Sequence, residues 1–329
     1  MEVYAPTPLV ACPELAAATG LGMVMVKDES SRFGLNSFKV LGASWAMSRM
    51  AEGDGPQAPV SAATAGNHGR AVAWMARRMG LRAVVFVPAG TSLRAVQNIR
   101  QECAEVRIVP GNYEDAVSAC ETESRRRGWR VVSDTAYPGC TEMPDEIVEG
   151  YRSLFEECEE QRASLGLPEP DAVLVQAGVG GLLSAAVHHY RARGDRPWLV
   201  SVEPAEASAL LESIRSPGGQ RCRSTGTQDS IMSMLNCAEV SLSAWPVIRS
   251  GVDLFLAIED EYALAAVRRL RDSGVAAGIS GAAGLAGLLA LCGDARLAEA
   301  KAHLRLTGSS NVMVINTEGP LEVRKMARG

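Results

Sequence analysis

Apolar and polar positions along the chain alternate between two periods. Short apolar runs rich in β-branched residues and bounded by Gly, Pro or polar residues predict strands at 24–27, 60–63, 83–88, 106–110, 130–133, 172–176, 199–202, 254–258 and 312–316. Between them, apolar residues three and four apart predict amphipathic helices at 40–50, 68–79, 95–103, 113–127, 144–160, 182–192 and 261–273. Strand–helix alternation with short connections predicts an α/β fold of two open, mostly parallel twisted sheets flanked by helices. In such sheets ligands sit at the carboxyl ends of strands, so polar motifs that directly follow a strand carry the most information.

Composition narrows the class. Apolar residues make up 47% of the 329 and charged residues 22%, which excludes a disordered, collagenous or coiled-coil chain. The net charge of −5 advertises no basic face, so no nucleic acid is expected as a partner. Residues 273–292 carry no charge, and about 20 apolar residues can span a bilayer. Their Gly, Ala and Ser content fits a loop running into a buried helix instead, and no membrane is expected. The eight cysteines form no CxxC pair and only four histidines accompany them, so no metal is expected. Reduced thiols, and no signal peptide before MEVYAPTPL, point to the cytoplasm.

Lysine is scarce. Only Lys27, Lys39, Lys301 and Lys325 occur, against 29 arginines. Arg keeps its proton in a protein, whereas Lys can lose it and become a nucleophile. Ser37 can cap a helix starting near Phe38, which puts Lys39 in the first turn, where the helix dipole lowers an ammonium pKa. The segment from Ser61 to Gly69 (SAATAGNHG) follows a strand and opens a helix with free N–H groups, suited to a carboxylate or a cofactor oxygen. Gln176-Ala177-Gly178-Val179-Gly180-Gly181-Leu182 repeats the strand, glycine loop, helix pattern. It lacks the spacing of a dinucleotide or triphosphate loop, so a lone phosphate is the better guest. Asp134, at a strand end, reads as a pocket base, an acceptor for a substrate amine, or a cap. Thr317 presents a neutral hydroxyl at the end of the last strand. His188 and His189 read as helix surface or packing.

Together these segments resemble the fold-type II pyridoxal phosphate enzymes, and within them the diaminopropionate ammonia-lyases. KDESSRFGLNSFKVLGAS is similar to that family's lysine motif nearly letter for letter. AGNHGRAVAW, VVSDTAYPGCTEMP, VLVQAGVGG, SVEP, ISG and INTEG follow in the family's order, from Tyr4 to Gly319. The resemblance implies a fold like the tryptophan synthase β chain. One domain would comprise residues 1–42 and 150–329, and a smaller one residues 43–149. It implies pyridoxal 5'-phosphate as cofactor, a small amino-acid substrate and a homodimer. Lys39 would bind the cofactor as a Schiff base. Asn67 would face its phenolic oxygen, and Gly178, Val179, Gly180, Gly181 and Leu182 its phosphate. Thr317, with Ser280 as alternative, would face the pyridine nitrogen. Thr64, Gly66, Asn67 and His68 would hold the substrate carboxylate. Lys39 would be the α-proton base, and Asp134 a second base or the anchor of the β-amine. The expected reaction is α,β-elimination of ammonia from 2,3-diaminopropionate, giving pyruvate and ammonia.

Two departures from the family pattern matter. The family usually has an aspartate before Gly-Asn-His-Gly where Ala65 stands here, which implies a preference for the L-form. The family's ISGESG reads ISGAAG, so Ala282 and Ala283 are expected to remove polar groups from the pocket. These losses keep open a serine or threonine dehydratase, or a β-replacement enzyme of a biosynthetic pathway. A non-catalytic ligand-binding protein on the same scaffold is disfavoured by Lys39.

Overall fold

The strands sort into two sheets in a computed structural model that describes residues 4–51, 58–64, 66–194 and 197–320. They are β1 (Leu9–Ala11), β2 (Met23–Asp28), β3 (Val60–Ala63), β4 (Ala83–Pro88), β5 (Glu105–Val109), β6 (Arg130–Val131), β7 (Ala172–Gln176), β8 (Trp198–Pro204), β9 (Leu254–Ile258) and β10 (Asn311–Asn316). A six-stranded sheet runs β1-β2-β10-β7-β8-β9, and a four-stranded sheet β5-β4-β3-β6. All pairings are parallel except β1 on β2. The inner strands are covered on both faces, so they read as unbroken apolar runs. Val24, Met25 and Val26 of β2 are buried beside Val312, Met313 and Val314 of β10.

β1 is absent from the predicted strands. It has three residues, one of them exposed, and stands at the sheet edge, too short to show a period. The strand expected at 130–133 shrinks to Arg130–Val131. The uncharged stretch ends in the helix Ala283–Gly293, which packs in the core. Among the described residues no helix is long and apolar enough to cross a membrane.

Two features hold the lysine motif. Its helix, Lys39–Ala51, crosses the long helix Glu142–Ser164 through facing glycines. A Cβ on Gly42 would lie 2.6 Å from atoms of Ile147 and Tyr151, and one on Gly150 would lie 2.8 Å from Gly42 Cα. Upstream, four charges are buried together. Glu157 takes Lys27 Nζ at 2.6 Å and Arg32 at 2.7 Å, and Arg32 also pairs with Glu29 at 2.7 Å. Tyr4 and Thr7 donate to the same carboxylates. Two cations and two anions offset one another, so Lys27 serves as an internal counter-ion.

Candidate active site

A cleft opens where the carboxyl ends of strands from both sheets meet. Lys39, Thr64, Gly66, Asn67, His68 and Asp134 line it, with the loop 176–182, Ser280, Thr317 and Glu318. Every described site residue read from the sequence therefore reaches one cavity. Ala65 lies outside the described residues. Ala282 and Ala283 correct the sequence reading: they are 1% and 0% exposed, belong to the core behind the cleft and do not line it.

Lys39 opens its helix, and its backbone N–H donates to Ser37 Oγ at 3.3 Å. Its ammonium donates to Asp134 Oδ2 at 2.7 Å. Here the structure overturns the expected depressed pKa. Burial pushes the ammonium down, but the Asp134 charge and hydrogen bond, with Tyr151, outweigh it and hold the group above the ordinary lysine range. Burial would raise Asp134 in turn, yet His68 and Lys39 hold it below the usual carboxylate range. His68 Nδ1 stands 3.8 Å from the same carboxylate oxygen. Its Nε2 is 2.9 Å from Val132 O, and since a carbonyl only accepts, that nitrogen carries the hydrogen. Thr64 Oγ1 accepts from Gly66 N at 2.9 Å and so fixes the turn before the helix Asn67–Arg78.

The glycine loop runs into the helix Gly181–Ala192. The N–H groups of Gly178, Val179, Gly180, Gly181 and Leu182 have no backbone acceptor among the described residues. Consecutive free N–H groups at a helix start form an anion site. Gly180 is required for a reason of the fold itself: its φ is 96°, and a Cβ would lie 2.6 Å from Ile248 Cδ1. Substituting it disturbs packing as well as any bound phosphate.

Four groups were missed by the sequence reading. Gln176, the last residue of β7, donates its Nε2 to Thr317 Oγ1 at 3.0 Å and to Gly281 O at 2.7 Å. Thr317 thereby accepts, and its own hydrogen is left for another acceptor. Ser280 Oγ accepts from Met234 N at 3.1 Å. Tyr113 lines the cleft behind the capping box of its helix, and burial pushes its hydroxyl up. Cys237 lies on an aperiodic loop, and burial with Asp134 nearby pushes its thiol up to about 12, a neutral group at pH 7. Glu318 accepts from Asn67 Nδ2. Burial pushes its carboxyl up to about 7, against the pull of Asn67 and the N–H groups of Gly281 and Ser280. Its place after the strand in INTEG was the available signal. Among the described residues no cluster of His, Cys, Asp and Glu could hold a metal ion.

A lysine that shares a cleft with an anion-binding helix start, between two mostly parallel sheets, fits a phosphorylated aldehyde cofactor. The chain belongs to the family of pyridoxal-phosphate dependent enzymes, whose model matches residues 1–316. Within it, the chain belongs with the diaminopropionate ammonia-lyases. It is 35% identical over 346 aligned positions to that enzyme of Salmonella typhimurium strain LT2, covering 96% of this chain and 85% of the relative. The Escherichia coli diaminopropionate ammonia-lyase, solved in complex with an aminoacrylate-PLP azomethine reaction intermediate, superposes with a TM-score of 0.90. It is 32% identical, over 98% of this chain and 87% of that one. The same Escherichia coli enzyme in complex with D-serine superposes at 0.89, with 30% identity and the same coverage.

Proposed function

We propose that the protein is a lyase that eliminates ammonia from 2,3-diaminopropionate, the L-form preferred, and that the released 2-aminoacrylate takes up water to give pyruvate and a second ammonia. The observation that carries this reading is the Lys39 ammonium held 2.7 Å from Asp134, beside five free N–H groups at a helix start. Lys39 would hold pyridoxal 5'-phosphate covalently, the loop Gly178 to Leu182 its phosphate, Asn67 its phenolic oxygen, and Thr317, with Ser280 the alternative, its pyridine nitrogen. When bound, the cofactor takes up the electron pair left at Cα as the α-proton departs.

The remaining chemistry is the chain's own. Asp134 stays anionic, so it is better suited to anchor the substrate's β-ammonium than to take a proton. With the cofactor bound, Lys39 would carry no free ammonium, so a substrate β-ammonium can take its place as the partner of Asp134, and Lys39, displaced by the substrate's α-amine, is freed as a neutral amine. Lys39 Nζ is then the α-proton base on its own face of the substrate. Thr64, Gly66, Asn67 and His68, at a helix N-terminus, hold the substrate carboxylate. Ala65 stands where the family's aspartate would be, so that position offers no carboxylate as a second base, and losing a positioned base costs about 10²–10⁴-fold in rate. The reading includes a cytoplasmic homodimer in which residues 43–149 form the smaller domain.

The test is pyruvate release from L- and D-2,3-diaminopropionate, with borohydride reduction and peptide mapping of the loaded protein. Release from the L-form and a pyridoxyl group on Lys39 are expected, with both lost in Lys39→Ala and Lys39→Arg. Label on Lys27 or Lys301 refutes the site, absence of pyruvate from either enantiomer refutes the substrate, and equal L and D rates refute the role given to Ala65.

A further inference from the structure

We infer that Glu318 is a positioning residue: it fixes the orientation of the Asn67 carboxamide in the cleft, and through Asn67 it sets the affinity for the cofactor. The inference rests on the reading that Asn67 touches the cofactor. Asn67 and Glu318 come from opposite walls. Asn67 starts the helix after β3 of the four-stranded sheet, and Glu318 follows β10 of the six-stranded sheet. The hydrogen bond from Asn67 Nδ2 to Glu318 Oε2 spans the two.

Glu318 is held from three sides. Its backbone carbonyl accepts from Gly278 N at 2.9 Å, Gly319 N donates to Asn36 O at 3.0 Å, and Phe38 N donates to Thr317 O at 3.2 Å. Gly278 and Gly281 leave no room beside it. A Cβ on Gly278 would lie 2.8 Å from Glu318 Oε1, and one on Gly281 would lie 2.4 Å from Glu318 O. The N–H groups of Ser280 and Gly281 also favour its ionised carboxylate. The acceptor facing Asn67 is therefore closely confined.

An ionised carboxylate only accepts, so it dictates which end of the Asn67 amide faces it. One Nδ2 hydrogen is committed to Glu318. The other Nδ2 hydrogen and Oδ1 have no protein partner among the described residues, and they are what the cleft can use. Glutamine at 318 would replace one acceptor oxygen with an NH2 donor. That donor must face either the backbone N–H groups or Asn67, and in the second case the Asn67 amide turns over. The side-chain volume barely changes, so the effect falls on amide orientation and not on packing.

The experiment titrates the apo form of four proteins with pyridoxal 5'-phosphate: wild type, Asn67→Ala, Glu318→Gln and the double variant. The pH is held at about 8.5, where the Glu318 carboxyl is ionised. Affinity, the visible absorption maximum of the loaded form and apo melting are read. Asn67→Ala and Glu318→Gln should each weaken affinity about tenfold, one hydrogen bond's worth. Both should move the absorption maximum the same way, and apo melting should hold. In the Asn67→Ala background Glu318→Gln should add nothing. If Asn67→Ala leaves affinity unchanged, the reading of Asn67 is wrong. If Asn67→Ala weakens binding but Glu318→Gln does not, or costs the same in both backgrounds, Glu318 does not act through Asn67.

Discussion

Adding one methyl group at Gly42 tests whether the helix crossing positions Lys39. In Gly42→Ala the new Cβ meets Ile147 Cγ2 and Tyr151 Cε1 at 2.6 Å and Ile147 O at 2.7 Å. Carbon atoms rest about 3.5–4.0 Å apart, so the surfaces are roughly 1 Å too close. Side-chain rotation cannot clear a backbone oxygen, and the helices Lys39–Ala51 and Glu142–Ser164 must separate by a similar distance. Overpacking of this kind costs about 1–3 kcal/mol, and the backbone contact argues for the upper end. Unfolding entropy of about 2.1 cal/mol/K per residue gives roughly 0.7 kcal/mol/K for a chain of this length, so melting should fall about 4 °C. Gly42 lies one helical turn from Lys39, and a 1 Å misplacement of a reacting group can cost on the order of 10²-fold in rate. Gly293→Ala is the control. Its Cβ meets nothing within 4 Å, and a Gly to Ala change at a compatible site stabilises by about 0.4–1 kcal/mol. The assay is thermal unfolding of both variants with turnover under saturating substrate. If Gly42→Ala melts level with Gly293→Ala, or keeps wild-type turnover, the crossing does not hold Lys39.

Two further outcomes follow from buried charge. Glu157→Gln leaves Lys27 and Arg32 with a net positive charge in the interior and should cost about 3–5 kcal/mol, read by denaturant unfolding; a loss under 1 kcal/mol would show that water reaches the cluster. Burial raises Glu203 from 4.5 to about 8, so the folded state holds its proton more tightly than the unfolded chain. Its contribution is complete below pH 4.5 and should be lost at up to about 1.4 kcal/mol per unit as pH rises from there to 8. Glu203→Gln should flatten that slope in a pH series of melts, and an unchanged slope would assign it to other groups.

The long apolar runs at 172–176 and 312–316 were readable because central parallel strands are buried on both faces. Lys39, Asn67, the glycine loop and Thr317 were readable because each directly follows a strand or opens a helix. What escaped has physical causes. β1 is too short to show a period, and only pairing with β2 makes it a strand. Cys237 sits on a loop whose course depends on contacts far away in sequence. Gln176 and Glu318 look like strand-end residues until partners about 140 and 250 positions away meet them. That Ala282 and Ala283 lie in the core and not on the cleft wall was not legible, because a motif letter does not say which side of the backbone faces the cavity. The helix dipole argument for Lys39 failed because Asp134, 95 residues on, supplies a full charge where the dipole supplies a partial one.

The order β1-β2-β10-β7-β8-β9 has a consequence for how the chain is made. Protein synthesis delivers β2 early, yet its parallel neighbour is β10, residues 311–316. Between the two, β2 has only the three-residue β1 to pair with. All four strands of the smaller sheet, by contrast, lie between residues 60 and 131, so that sheet is complete before half the chain has left the ribosome. The four-stranded sheet can fold vectorially, whereas the larger one can close only once β10 has been made, by insertion of that strand between β2 and β7. That insertion carries Thr317 and Glu318 into the cleft, so a chain made only as far as β9 cannot hold the complete cleft.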